Sequence, residues 1–301
     1  MKQTMNITRY FPDDFFIKNE PMANHTTYKI GGPAEYFYQA ENRDELVFAL
    51  QTCLKNDIPF FIFGGGSNIL VSDSGIKGVV ICNKGRDITA ESDTELTADS
   101  GVMLADLIRF MVERNLGGLE HFIGIPGSIG GALWINSHFL NHFIGDWVKE
   151  GIVVNNQGEE ITLHKDEFKF GYEESILKEK PLYLISATFA LEKRGQEETR
   201  KTIKEILTLR ASKHPLEHPS AGSVFRNPKD IPAGKLIEEA GLKGYRIGGA
   251  AVSEKHGNFI VNVGGASATD VVTLIKLCQE KVLQSSGYRL ETEINFIGAF
   301  T

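Results

Sequence analysis

Residues 124–132 read Gly-Ile-Pro-Gly-Ser-Ile-Gly-Gly-Ala, four glycines in nine positions. With so few side chains in the way, the backbone N–H groups of such a loop can approach a phosphate or a flat ring closely. The bland account is a tight structural turn, and on this stretch alone that account wins. A second loop shifts the balance. Residues 64–68, Gly-Gly-Gly-Ser-Asn, directly follow the apolar run of residues 59–63, and a strand that ends in a polar triglycine turn can present amides to a pyrophosphate. Together the two loops point to a nucleotide cofactor. The sequence argues against a Rossmann unit or a P-loop, because no Gly-x-Gly-x-x-Gly follows the first strand and no Gly-x-x-x-x-Gly-Lys-Ser/Thr occurs anywhere.

A chain of 301 residues with 42% hydrophobic content is long enough to bury a large core, in two domains or one large one. The net charge of -7 and the lack of a Lys/Arg run argue against a nucleic-acid surface. Cys53, Cys82 and Cys278 are odd in number and widely spaced, which suggests buried thiols in a reducing compartment rather than disulfides or zinc. No metal site is expected. Residues 1–16 lack the apolar core of a signal sequence, and no run approaches the ~20 apolar residues of a membrane span, so the expectation is a cytoplasmic protein with no membrane partner.

Periodicity supplies an order of elements. Helices are expected over residues 42–56, 103–115, 196–212, 233–240 and 268–285. The buried faces are read as Leu46, Leu50, Cys53 and Leu54; as Leu104, Leu107, Ile108 and Met111; and as Ile203, Ile206, Leu207 and Leu209. Strands are expected over residues 35–39, 59–63, 78–82, 182–191, 247–252, 258–263 and 288–297, with hairpins over 87–99 and 151–163. The fold class is α+β, with a domain boundary near the helix that opens at Gln196.

In the second half, Ser220-Ala221-Gly222-Ser223-Val224-Phe225-Arg226-Asn227-Pro228 is the most informative stretch. No Gly-x-Ser-x-Gly elbow surrounds Ser223, so it is read as a hydroxyl proton donor rather than an acyl-transfer nucleophile, with a plain turn serine as the rival. The blocks at residues 29–34, 64–68, 124–132, 170–172, 209–213, 221–228, 233–237, 240–244, 248–250, 256–262 and 290–294 span nearly the whole chain. In that order they resemble the MurB family of UDP-N-acetylenolpyruvoylglucosamine reductases, of the shorter type, within the vanillyl-alcohol-oxidase-like superfamily of FAD-binding domains.

The resemblance implies a PCMH-type FAD-binding domain over residues 1–194, in lobes of about 1–83 and 84–194, and a substrate-binding domain over residues 199–301. It implies non-covalent FAD, NADPH as co-substrate, and reduction of UDP-N-acetylglucosamine enolpyruvate, with flavin passing hydride to the vinyl carbon and a protein acid protonating its neighbour. Flavin contacts are implied at Gly64, Gly65, Gly66, Ser67 and Asn68, at Gly124, Ile125, Pro126, Gly127, Ser128, Gly130, Gly131 and Ala132, and at Arg210. Ser223 takes the place of the proton donor and Glu293 that of the carboxylate assisting the developing enol, while Tyr172, Lys213, Asn227, Lys243 and His256 take substrate-binding places. Cations suit a diphosphate and a carboxylate held by an otherwise acidic protein.

Two stretches depart from the family. Tyr172-Glu173-Glu174-Ser175 puts Glu173 where the family has an arginine that polarises the substrate carboxylate, and Arg226 is a candidate for the compensating cation. Asn136-Ser137-His138-Phe139-Leu140-Asn141-His142 replaces a run of small residues by bulky ones. Two rival functions follow: a flavin- or nucleotide-sugar-binding paralogue with weak or lost turnover, and a flavin oxidase with His121 or His138 as a covalent anchor.

Overall fold

The computed structural model describes residues 7–12 and 14–300, so part of the segment read as free of a signal sequence lies outside it. The chain forms two compact units, each discontinuous in sequence. The first takes Met1–Ile17, Tyr36–Gly65 and Gly78–Thr208, and the second takes Lys18–Glu35, Gly66–Lys77 and Leu209–Thr301. The sequence reading drew one linear boundary instead.

The first unit is organised on a five-stranded antiparallel sheet in the order Glu160–His164, Val148–Val154, Tyr183–Ala190, Glu95–Asp99, Ile88–Ala90. Helix α1 is Arg43–Lys55, capped by the Asn42 side chain accepting from Glu45 N–H, and it buries Leu46, Ala49, Leu50 and Cys53. Helix α2, Leu104–Glu113, has no side-chain cap; its first amide is taken by the Gly127 carbonyl at 3.0 Å. Leu104, Leu107, Ile108 and Met111 of α2 are buried in one cluster with Leu96, Ala98, Ala187 and Phe189 of the sheet. Each of the Leu, Ile, Met and Phe side chains contributes about 1.5–3 kcal/mol by its burial. Beyond it come the short helices α3, Ile129–Trp134, and α4, Ile176–Glu179. Phe60–Phe63 pairs in parallel with Phe60 opposite Val79 and Phe63 opposite Cys82, which aims the chain at Gly64.

Helix α5, Gln196–Lys213, begins in the first unit and ends in the second. Of its expected buried face Ile206 is buried, whereas Leu207 is 43% exposed, because the charged helix covers the core with one narrow edge only. In the second unit, helices α6, Ala233–Glu239, and α7, Ala268–Ser286, pack Leu236, Ile237, Val271, Leu274, Ile275 and Cys278 against Tyr28, Ile30 and Leu70. Ser267 and Asp270 form a capping box on α7, and Asp73 adds its carboxylate to the same end, accepting from Ala268 N–H at 2.7 Å and Thr269 N–H at 2.9 Å.

Two expected strands are divided. Residues 247–252 are a hairpin, Arg246–Ile247 and Ala250–Val252, turned by Gly248 at φ +53, with Ala250–Val252 also pairing Ile260–Asn262. Residues 288–297 give a regular strand only at Asn295–Ile297, parallel to Ile69–Val71. Upstream of it the backbone changes partner, bridging Thr292 to Phe225. All three cysteines are buried, and burial pushes the Cys82 thiol up to about 11.

Candidate active site

In the first unit the two glycine loops come into close contact. A Cβ on Gly64 would stand 2.0 Å from Ser128 Oγ, and one on Gly65 would stand 3.0 Å from Gly127 Cα. Gly124 and Gly127 adopt φ of +78 and +135, conformations that disfavour side chains. The loop is held from behind. Ile129 N–H donates to the Val102 carbonyl at 2.8 Å and Gly130 N–H to the Ser100 carbonyl at 2.7 Å. Ser128 Oγ accepts from Gly131 N–H at 3.4 Å, and Ala132 is buried.

The amides of Gly130 and Gly131 therefore serve the fold, where the sequence reading offered them to a ligand. Gly124 and Pro126 are exposed and Ile125 is half-buried. The buried pair Asn83 and Ser100 underlies the loop: Asn83 Nδ2 donates to Ser100 Oγ at 2.8 Å, and that hydroxyl donates to the Leu184 carbonyl at 2.6 Å. Sequence reasoning missed both, although a polar pair at strand ends beside Gly85 and Gly101 was a visible signal.

The two departures from the family pattern meet in this unit. Asn136 Nδ2 donates to the Gly171 carbonyl at 2.8 Å, and Ser175 Oγ donates to the Trp134 carbonyl at 2.7 Å, binding residues 171–175 to the end of α3 and the segment that follows it. His138 packs on Tyr172 with ring centroids 4.8 Å apart, and Tyr172 is 46% exposed. Glu173 is buried at φ +56, and Lys178 Nζ donates to its carbonyl at 3.1 Å. His121 and His142 stack 3.5 Å apart. Burial, with His142 adding to it, holds His121 below the usual imidazole range, and burial does the same to His138.

In the second unit Gly66 stands at φ +60 and its carbonyl accepts from Thr27 N–H at 3.1 Å. A Cβ there would meet the His25 carbonyl at 2.3 Å. Ser67 and Asn68 are half-buried, and the Asn68 carbonyl accepts from Asn295 N–H at 3.0 Å. Glu293 N–H donates to the Val224 carbonyl at 2.8 Å and Arg226 N–H to the Glu291 carbonyl at 2.9 Å. Ser223 and Glu293, distant in sequence, thus lie on adjacent backbone segments, both half-buried. Asn258, which the sequence reading passed over within residues 256–262, donates from Nδ2 to the Phe225 carbonyl at 2.7 Å and accepts at Oδ1 from Phe225 N–H at 2.9 Å. Asn227 Oδ1 accepts from Ala233 N–H at 3.0 Å at the start of α6.

A cationic cluster completes this unit. His214, also missed, is pushed down to about 4 by burial and then by Arg210, His256, Lys213 and Lys255. His256 is lowered by burial first and by Lys243 next. Its Nδ1 accepts from Asn258 N–H at 3.2 Å, so the neutral ring carries its proton on Nε2. Burial also lowers Arg210, and Lys243 Nζ lies 3.3 Å from Glu238 Oε1. Lys213, Lys243, His256 and Arg210 are thereby brought into one electrostatic neighbourhood, as a diphosphate would require. No cluster of three His, Cys, Asp or Glu side chains fit for a metal occurs among the described residues, and no helix among them is long and apolar enough to cross a membrane.

The chain matches the FAD binding domain family over residues 34–164 and the C-terminal domain family of UDP-N-acetylenolpyruvoylglucosamine reductase over residues 214–297. It is 41% identical over 287 residues to the UDP-N-acetylenolpyruvoylglucosamine reductase of Lachnoclostridium phytofermentans, covering 93% of this chain and 92% of that one. It is 40% identical over 317 residues to the reductase of the same name from Agathobacter rectalis, covering both chains fully at 100%. Its fold is similar to the crystal structure of UDP-N-acetylenolpyruvylglucosamine reductase (MurB) from Thermus caldophilus, with a TM-score of 0.81, 32% identity, and coverage of 94% of this chain and 100% of that one. With this likeness running the length of the chain and both constituent domains matched, the protein belongs to the UDP-N-acetylenolpyruvoylglucosamine reductase family.

Proposed function

We infer that the protein is an NADPH- and FAD-dependent oxidoreductase that reduces UDP-N-acetylglucosamine enolpyruvate to UDP-N-acetylmuramate, a step of peptidoglycan precursor synthesis carried out in the cytoplasm. The observation that supports it most is the 2.8 Å hydrogen bond from Glu293 N–H to the Val224 carbonyl, which sets a hydroxyl residue and a carboxylate residue on neighbouring backbone. Gly64 and Gly65 approach Ser128 and Gly127 so closely that a Cβ on either would be crowded, and two loops this poor in side chains of their own fit a flavin. These loops would hold FAD, and the chemistry FAD would supply is hydride transfer, with NADPH as the source of the electrons.

The protein's own residues bind, orient and move the proton. Ser223 Oγ–H protonates the carbon next to the one that receives hydride, a transfer worth roughly 10²–10⁴ in rate. Glu293 stands beside that segment to take up the hydrogen bond of the developing enol. Lys213 and Lys243 hold the diphosphate as point charges, Arg210 contributes a fixed guanidinium, and Asn227 and Tyr172 contact the sugar and its carboxylate end. His256, whose neutral ring carries its proton on Nε2, serves the substrate as a donor rather than as a charge. Replacing Ser223 by Ala is expected to leave reduction by NADPH intact and slow substrate-driven reoxidation about a hundredfold or more. Anaerobic stopped-flow absorbance of the yellow protein reads both steps separately, and equal reoxidation rates in the two proteins would remove Ser223 from the mechanism.

One observation favours a second reading. Glu173 is buried where the family's arginine would polarise the substrate carboxylate, and losing such a donor costs about 10²–10³ in turnover. A protein that NADPH reduces but the enolpyruvate does not reoxidise is a binding paralogue.

A further inference from the structure

Ser223 sits between a slack side and a stiff side. Before it, Gly222 adopts φ +80 and a Cβ built there would meet nothing within 4 Å. After it, Val224 and Phe225 are buried and all four of their backbone polar groups are bonded. Val224 N–H donates to the Asn258 carbonyl at 2.9 Å, and the Val224 carbonyl accepts from Glu293 N–H at 2.8 Å. Phe225 N–H donates to Asn258 Oδ1 at 2.9 Å, and the Phe225 carbonyl accepts from Asn258 Nδ2 at 2.7 Å. Three of these four bonds belong to one residue.

Asn258 is 3% exposed and uses every polar group it has, since its own N–H donates to His256 Nδ1 at 3.2 Å. Its carboxamide acts toward Phe225 as a neighbouring strand would, with a donor and an acceptor in the plane of the peptide. A buried amide paired this way fixes a single arrangement, because any slip leaves its donor and acceptor unsatisfied.

We propose that Asn258 is the positioning residue of the proton donor: its carboxamide clamps Phe225 and so sets the place of the Ser223 hydroxyl. The proposal rests on the reading of Ser223 as the acid. Displacement of a reacting group by about 1 Å costs on the order of a hundredfold. Neither Asn258 side-chain atom touches a ligand in this account; the side chain acts through the backbone that follows Ser223.

The test uses FAD-loaded Asn258→Ala and Asn258→Asp beside the wild type and Ser223→Ala, in anaerobic stopped flow in water and in deuterium oxide. Asn258→Asp keeps the shape and the acceptor for Phe225 N–H while removing the donor to the Phe225 carbonyl, so it decides the matter if the alanine variant does not fold. The expected result is reduction by NADPH within about twofold of wild type, and reoxidation by UDP-N-acetylglucosamine enolpyruvate slowed about a hundredfold with a larger solvent isotope effect. Wild-type reoxidation in the folded Asp variant overturns the proposal. So does an equal loss in both half-reactions, which marks Asn258 as a stability residue only. If the wild type itself is not reoxidised, or Ser223→Ala keeps its rate, the reading of Ser223 fails and takes the proposal with it; the controls tell this case from the others.

Discussion

Glu173 shows how much one residue can carry that its neighbours in sequence do not reveal. It is buried, its backbone is left-handed at φ +56, and its carbonyl already accepts from Lys178 Nζ at 3.1 Å. An arginine at this position would bring a cation into a buried place beside the half-buried Lys178, so Glu173→Arg is expected to lower stability by about 3 kcal/mol. Adding Lys178→Gln is expected to recover about 1 kcal/mol or more, because the two sites couple. Urea midpoints of the two single variants and the double variant measure this directly, and strict additivity would contradict it. The residues named from the sequence, Ser223, Glu293, Lys213 and Lys243 among them, are named on the strength of ordered motifs. Asn258, Asn83, Ser100 and His214 are not. Asn258 and Ser100 act by hydrogen bonding to backbone far along the chain, and Asn83 acts through the Ser100 hydroxyl; an Asn or Ser in a loop looks the same whether or not it does so. His214 owes its low affinity for a proton to burial first and then to Arg210, His256, Lys213 and Lys255, and neither the burial nor the approach of the Lys255–His256 segment can be read from a local window.

At the scale of the element, helices were the easier reading, because a 3.6-residue period is local and caps are local. The expected face of α2 is buried residue for residue. Helix α7 is capped twice over, and only the Ser267–Asp270 box was within its own sequence. Asp73, from a remote segment, accepts from two α7 amides and from Thr269 Oγ1 at 2.8 Å. Asp73→Ala is therefore expected to destabilise by about 1–2 kcal/mol without changing flavin content. Chemical denaturation beside the flavin-to-protein absorbance ratio tests both halves of that statement. Strands fared worse where the backbone turns or changes partner. Gly248-Gly249 is a two-residue hairpin signal inside a run that otherwise reads as one strand. Residues 291–297 pair first with the Phe225 segment and then with Ile69–Val71, a division set by tertiary hydrogen bonds alone.

For the whole molecule, the class and the order of the two domain families along the chain were readable, while the discontinuity of the units was not, since it depends on pairings between the first and last quarters of the sequence. Stability should follow pH through buried imidazoles. His214 is lowered from its ordinary 6.5 to about 4, and His121, His138 and His256 are lowered as well. A histidine with a depressed folded value binds protons more readily when unfolded, so stability is full above about 6.5 and is lost as pH falls toward 4. His214→Gln should flatten that slope, read as urea midpoints across the same window; an unchanged slope would discount His214. The passage of the chain between units at residues 17–18, 35–36, 65–66, 77–78 and 208–209 has a further result for how the protein is made. Leu70 and Ile30 emerge early from the ribosome, but their partners in α7 and the strand Asn295–Ile297 are translated near the finish. The nascent second unit must therefore wait with apolar side chains uncovered, and nonsense mutations shortly before Asn295 would leave it permanently in that sticky, protease-sensitive condition.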